Sequence, residues 1–237
     1  FKCDWSSDVC SSDLGGEAHG HLATIEAARW IAVAMAYDDI IRVADLKSRG
    51  ERFERIRREI GAQASEVVGT TEYFHPRLEE VASMLPVGMA QTLERSPGIR
   101  AWIEKRLSKG RRIRSHTSVG QLMLHGLASL RFMRRSSLRH HREQQHLEAW
   151  LARVEQAWSH SYLFAGEVIR CHRAIKGYSD THARGLSRFD RLMRAAEQLQ
   201  ARPDAAQSLG SLIAASLADA SGAALERRRQ ALSMQPI

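Results

Sequence analysis

The 237-residue chain has no CxxC pair and no ferredoxin-type cysteine run, so no iron–sulfur cluster is held within it. No GxGxxG follows a strand and no GxxxxGK(S/T) occurs, which leaves neither a dinucleotide crevice nor a phosphate loop. The GxSxG elbow of serine hydrolases and the GDG that opens a thiamine diphosphate magnesium motif are missing too. A redox or group-transfer centre is therefore not expected in these residues. Cysteine is scarce, with three scattered along the chain (Cys3, Cys10, Cys171), which argues against a disulfide framework and suits a reducing cytoplasm. Long apolar runs are lacking as well. Ile31 to Tyr37 is about the longest, far short of the roughly 20 residues of a membrane span.

What the chain does have is a local excess of positive charge. The formal net charge is +8. Between Arg100 and Gln145 there are 12 basic and 2 acidic residues, so this one stretch exceeds the whole excess. At the other extreme, residues 1–14 are rich in Ser and Asp and contain DWSSDVCSSDL, a string that resembles translated sequencing-adapter readthrough. Residues 1–14 are thus expected to be a non-native or frayed tail, with Cys3 and Cys10 idle. Residues 15–237 are expected to be one helical domain, cut off from whatever precedes it.

From Gly16 onward the apolar period is helical, and the expected class is all-α. Leu22 to Lys47, Glu51 to Ile60, Ser118 to Arg134 and Thr181 to Leu199 read as helices; Pro86, Pro97, Pro203 and Gly222 mark the starts or ends of others. On the Ser118 helix, Leu122, Leu124, Leu127, Leu130 and Phe132 make the apolar side. Glu66 to Phe74 is the only β-like stretch, and His75-Pro76 after it reads as a helix start. The strongest pattern is Leu147, Trp150, Val154, Ala157, Ser161, Phe164, Val168, Cys171 and Ile175, stepping by three and four with one polar member, Ser161. It predicts a single long helix reaching Lys176, flanked by other helices. The expected architecture is an irregular bundle organised around that helix, with at most one short β-like segment.

Three groups invite a chemical reading. His140, His141 and His146 stand beside Glu143, but the histidines lie five and six residues apart. Metal sharing on a helix needs three or four, so solvated or hydrogen-bonded histidines are expected and no metal. The basic block, with Arg111, Arg112, Arg114, Arg131, Arg134, Arg135, Arg139 and Arg142, suits either nucleic-acid phosphates or an acidic protein partner. Trp102 and Phe132 are its only large aromatics and no DNA-binding motif is present, so nucleic acid is the less favoured partner. Third, Lys176-Gly177-Tyr178-Ser179-Asp180-Thr181 combines a helix stop at Gly177 with a cap at Ser179 or Asp180. Capping requires neither Lys176 nor Tyr178, which leaves them as interface candidates together with Arg134 and Arg135.

That hexapeptide, followed by THARGLSRFDRLM, resembles the C-terminal helical region of the indolepyruvate:ferredoxin oxidoreductase beta-subunit family. Tyr37-Asp38-Asp39 resembles a tyrosine-containing helix that follows the small gamma-type domain of those proteins. Ser179 stands where the family commonly has glycine. The resemblance implies a cytoplasmic helical accessory and assembly domain, inactive alone, within an enzyme that oxidatively decarboxylates a 2-oxoacid such as an arylpyruvate. It further implies that thiamine diphosphate, magnesium and iron–sulfur clusters belong to an alpha partner subunit, that ferredoxin is met only indirectly, and that no membrane is involved. No catalytic residue carries over to this chain. A stand-alone basic helical binding protein is the competing reading.

Overall fold

The computed structural model describes residues 15–237 except 38, 64, 75–76, 108–110, 178, 220 and 237. His75, Pro76, Tyr178, Cys3 and Cys10 therefore lie outside the described residues. In chain order the elements are α1 (Leu22–Met35), α2 (Ile40–Ser48), α3 (Gly50–Glu59), β1 (Thr71–Phe74), α4 (Leu78–Met84), α5 (Val87–Glu94), α6 (Pro97–Leu107), β2 (Arg111–Arg114), α7 (Ser118–Ser129), α8 (Leu138–Trp158), α9 (Tyr162–Arg170), α10 (Ser179–Leu199), α11 (Ala205–Ala218) and α12 (Ala223–Ala231). Short 3-10 turns follow α7 (Leu130–Ser136) and α9 (Cys171–Ala174). The fold is all-α, with one two-stranded antiparallel ribbon. No helix among the described residues is long and apolar enough to cross a membrane.

The chain divides into two compact units. Residues 38–144 form one, here the inserted unit; the flanking segments up to Tyr37 and from Gln145 onward form the main unit. The first junction lies between α1 and α2, and the second falls within α8.

The main unit holds the large core. Trp150, Phe164, Val168, Ile169, Leu192, Leu199, Leu209, Leu212 and Leu225 are buried there in one continuous cluster. The apolar seam read from the sequence is its backbone, and its eight apolar members are all buried. They do not form one helix, however. The expected long helix stops at Trp158 and restarts at Tyr162, and the break falls on Ser161, the one polar member of the seam. Ser161 is extended and its Oγ accepts a hydrogen bond from the Phe164 N–H at 3.5 Å, so the hydroxyl satisfies the new helix start. The start of α1 is satisfied across the fold instead: the Ala23 N–H donates to the Tyr162 hydroxyl at 3.1 Å. Glu26, buried on α1, accepts from Trp30 Nε1 at 2.7 Å and lies 3.7 Å from Arg170 of α9.

The inserted unit is thinner. Its ribbon pairs Glu72 with Ile113 and Tyr73 with Arg112. Strand alternation puts Glu72 and Ile113 on the buried face and Tyr73 and Arg112 outside. Burial alone would raise the Glu72 pKa, but ion pairs from Lys47 on α2 and Arg52 on α3 outweigh it and hold the carboxyl below its ordinary range. The second strand, β2, corrects the expectation of one β-like segment. The proposed Leu22–Lys47 helix also divides, because Asp39 caps α2 by accepting from the Arg42 N–H at 2.7 Å. α7 packs on α2 and β2 through Leu124 and Leu127, which meet Ala44 and Ile113. A side chain at Gly120 would place its Cβ 1.9 Å from the Arg114 carbonyl oxygen, so only glycine lets α7 approach the strand this closely.

Candidate functional site

The interface candidates read from the sequence fall into two groups, one in each unit. Lys176, Gly177 and Asp180 belong to the main unit; Arg134 and Arg135 belong to the inserted one. Gly177 has the expected left-handed backbone, φ +68°, but it does not stop the long helix: α9 ends at Arg170 and the 3-10 turn after it at Ala174. A Cβ there would meet Thr181 Cγ2 at 3.0 Å, a second reason for glycine. Lys176 was expected in the last turn of the long helix; it lies instead beyond the 3-10 turn Cys171–Ala174, exposed, after an extended Ile175. Asp180 was expected to precede its helix. α10 starts at Ser179, so Asp180 stands in the first turn, where a carboxylate meets the positive end of the helix.

Adjacent in sequence, Arg134 and Arg135 do different things. Arg134 Nε donates to Asp39 Oδ2 at 2.7 Å, and that carboxylate is almost fully covered. The same Asp39 caps α2, so Arg134 closes a bridge from the turn after α7 to the start of α2. It is a fastening within the unit. Arg135 is exposed and has no ion-pair partner among the described residues, as do Arg58, Arg95, Arg114 and Arg131. Arg139 and Arg142 are engaged, with Glu143 at 2.6 Å and Glu94 at 3.4 Å.

Charge separates the units cleanly. Residues 38–144 contain 21 basic and 13 acidic residues, whereas the rest of the chain contains 14 of each. The whole net charge of +8 thus resides in the inserted unit. Two of its exposed rings carry arginine: Arg112 lies over Tyr73 at 5.4 Å and Arg106 over Trp102 at 5.0 Å. The unit also has a small cavity of about 170 Å³, floored by Leu78, Ala82 and Leu93 and rimmed by Glu94, Arg100 and Arg142.

The histidines gave one arrangement that the sequence did not reveal. His146 does not join His140 and His141; it packs against His172, 26 residues away, with ring centres 5.7 Å apart. Trp150 lies 4.6 Å from the His172 ring, Phe189 at 5.9 Å and Trp30 at 6.3 Å. Burial, with His146 and His182 adding positive repulsion, pushes the His172 pKa down to about 4. His146 is lowered by burial too, against the opposing pull of Asp190. His146 Nε2 and His172 Nδ1 are buried without a hydrogen-bond partner among the described residues. The two imidazoles pack among aromatic rings, in surroundings that disfavour their protonated forms. Spacing gave no warning, because the two residues come from different elements. Cys171 next to it is fully buried, and burial raises its thiol pKa, which makes it a small apolar core group. Among the described residues, no group of three or more His, Cys, Asp or Glu is placed to share a metal ion.

Comparison with curated proteins and with solved structures gives no match. A family does match, over residues 10–195, which covers most of both units. The chain belongs to DUF6537, a family of unknown function.

Proposed function

We propose that this chain is a helical accessory and assembly domain of a thiamine-dependent 2-oxoacid:ferredoxin oxidoreductase of the indolepyruvate class. The observation that carries the reading is the confinement of all net charge to the inserted unit, with Arg58, Arg95, Arg114, Arg131 and Arg135 left without internal partners among the described residues. Arginines that served only the fold would be neutralised within it, as Arg134 and Arg52 are. Unspent positive charge favours an acidic partner, by steering and by complementarity at contact. The resemblance at Lys176–Thr181 and at Tyr37–Asp39 supplies the partner's class. On this reading the alpha partner holds thiamine diphosphate, magnesium and the iron–sulfur clusters, electrons pass from there to ferredoxin, and the complex works in the cytoplasm.

The test is co-expression of the full-length gene with the thiamine-bearing subunit. The two should copurify at low salt and separate as salt rises, while this chain alone reduces no dye with arylpyruvate, thiamine diphosphate and coenzyme A. Turnover by the isolated chain, or failure of the two proteins to associate, overturns the proposal.

The stacked pairs Arg112–Tyr73 and Arg106–Trp102 favour a second reading, a basic helical protein binding single-stranded nucleic acid. Fluorescence anisotropy with labelled oligonucleotides separates the two. Assembly predicts only nonspecific affinity, roughly 10 μM or weaker at physiological salt. Tight, sequence-selective binding would replace the first reading with the second.

A further inference from the structure

α7 is a twelve-residue helix without Asp, Glu, Lys or Arg. Its inward face, Gly120, Leu124 and Ala128, is buried. Its outward side carries an apolar patch, with Val119 70% exposed, Leu122 74% and Met123 41%, beside exposed His125. These three stand at the i, i+3, i+4 spacing of one helical face. In the 3-10 turn that continues the helix, Phe132 is 77% exposed. Residues three apart eclipse in that geometry, so exposed Arg135 stands on the same side as the Phe132 ring. Arg114, also exposed and without an ion-pair partner, ends the strand against which the start of α7 is pressed at Gly120. Exposed apolar side chains thus recur along about 18 Å of helix and its continuation, with exposed Arg131 and Arg135 beside Phe132 and Arg114 on the strand before the helix start.

We infer that this strip is a docking surface for a protein segment that presents apolar side chains flanked by carboxylates. Charge complementarity selects the occupant. A second copy would bring one +8 unit against another, with arginines facing arginines at the ends of the strip. Nucleic acid would lay phosphates over twelve residues that contain no Lys or Arg, and His125 and Phe132 are the only exposed rings from Ser118 to Arg135. An acidic protein segment meets both demands, burying the apolar centre and pairing the ends. Phe132 and Leu122 are then the anchors, and Arg131 and Arg135 the rim. The inference rests on the reading of the inserted unit as the assembly module, and it adds the surface and the partner's chemistry.

The experiment uses the full-length protein in its native cells, with a photo-crosslinking benzoylphenylalanine at Leu122 and, as control, at exposed Glu155 of the main unit. The expected adduct at Leu122 is a peptide of another protein that carries both apolar and acidic residues. That protein, purified, should bind the chain, and Leu122→Asp and the pair Arg131→Glu/Arg135→Glu should each weaken binding about tenfold or more. Circular dichroism and the melting temperature of these variants should match the parent, since every altered side chain is exposed. An adduct to lipid, nucleic acid or a second copy overturns the inference, as does a basic peptide, no adduct, or affinity that Leu122→Asp leaves unchanged. If the captured partner is not a thiamine-dependent subunit, the proposed assembly role fails while the surface stands. If the thiamine-bearing subunit binds regardless of Leu122→Asp, the surface fails while that role stands.

Discussion

Two residues show how a single position can be bound to one backbone or one protonation state. Gly177 combines φ +68° with a would-be Cβ contact to Thr181 Cγ2 at 3.0 Å. Gly177→Ala should therefore cost about 1 kcal/mol, from left-handed strain and the crowding together. Urea denaturation of the pair of proteins measures it, and an unchanged midpoint would show that the turn relaxes freely. His172 offers a sign that can be worked out. Its folded pKa of about 4 lies below the 6.5 of an exposed imidazole, so between those values the unfolded chain binds a proton that the folded one does not. The stability contributed by the neutral ring is complete above pH 6.5 and drains away as pH falls toward 4. The loss approaches about 3 kcal/mol, since each pKa unit is worth 1.36 kcal/mol. Melting temperatures across pH 4–7 should drop on the acid side, and His172→Gln should flatten that slope. A parent slope identical to the variant's would show that His172 takes its proton in the folded state.

At the scale of elements, the sequence was most legible where burial repeats and least where polar atoms decide. The seam from Leu147 to Ile175 identified eight core residues, because a stripe buried by neighbours on several sides must repeat every three to four positions. Its interruption at Ser161 was visible as the one polar member, yet a hydroxyl in a helix pattern does not say whether it faces solvent or caps a new start. α7 misled in the opposite direction. Of the apolar side read from the sequence, Leu124 is buried and Leu127 and Leu130 are half-buried, whereas Leu122 and Phe132 point outward, since periodicity reports amphipathic spacing and not which side is covered. β2 was illegible because Arg111–Arg114 contains one apolar residue, Ile113, whose partner Glu72 lies 41 positions earlier. Of the candidate site, the basic block was legible as composition, but the division of labour between Arg134 and Arg135 depends on Asp39, far away in sequence. That division gives a prediction. Arg134→Glu breaks the ion pair and sets a carboxylate against the Asp39 cap, and should destabilise the inserted unit by about 2 kcal/mol. Arg135→Glu should stay within about 0.5 kcal/mol, as surface changes do. Equal losses in urea titrations of the two variants would contradict the assignment of Arg134 as a fastening.

Across the whole molecule, core and charge are distributed in opposite ways. Of the buried apolar side chains among the described residues, 23 lie in the main unit in one cluster. The inserted unit has ten, four of them alanines, and no aromatic ring is among them. Because apolar burial is the chief source of stability, the inserted unit holds the smaller share of it. It also bears the full +8, whose self-repulsion opposes compaction. Both effects point the same way: the inserted unit should open at lower free energy than the main one, as a separate cooperative unit. Hydrogen exchange followed by mass spectrometry reads this directly. Amides of α2 and α7 should exchange well before those of α9 and α11. Raising salt from about 0.05 to 0.5 M shortens the Debye length from about 14 to 4 Å, so repulsion is relieved and the gap should narrow. An acidic partner docked on the inserted unit should act like salt but more strongly, covering apolar surface as well as neutralising charge, and should slow exchange in α7 most. Uniform exchange across both units, unmoved by salt, would mean that the charge is balanced by contacts within the fold, and the case for an acidic partner would lose its physical basis.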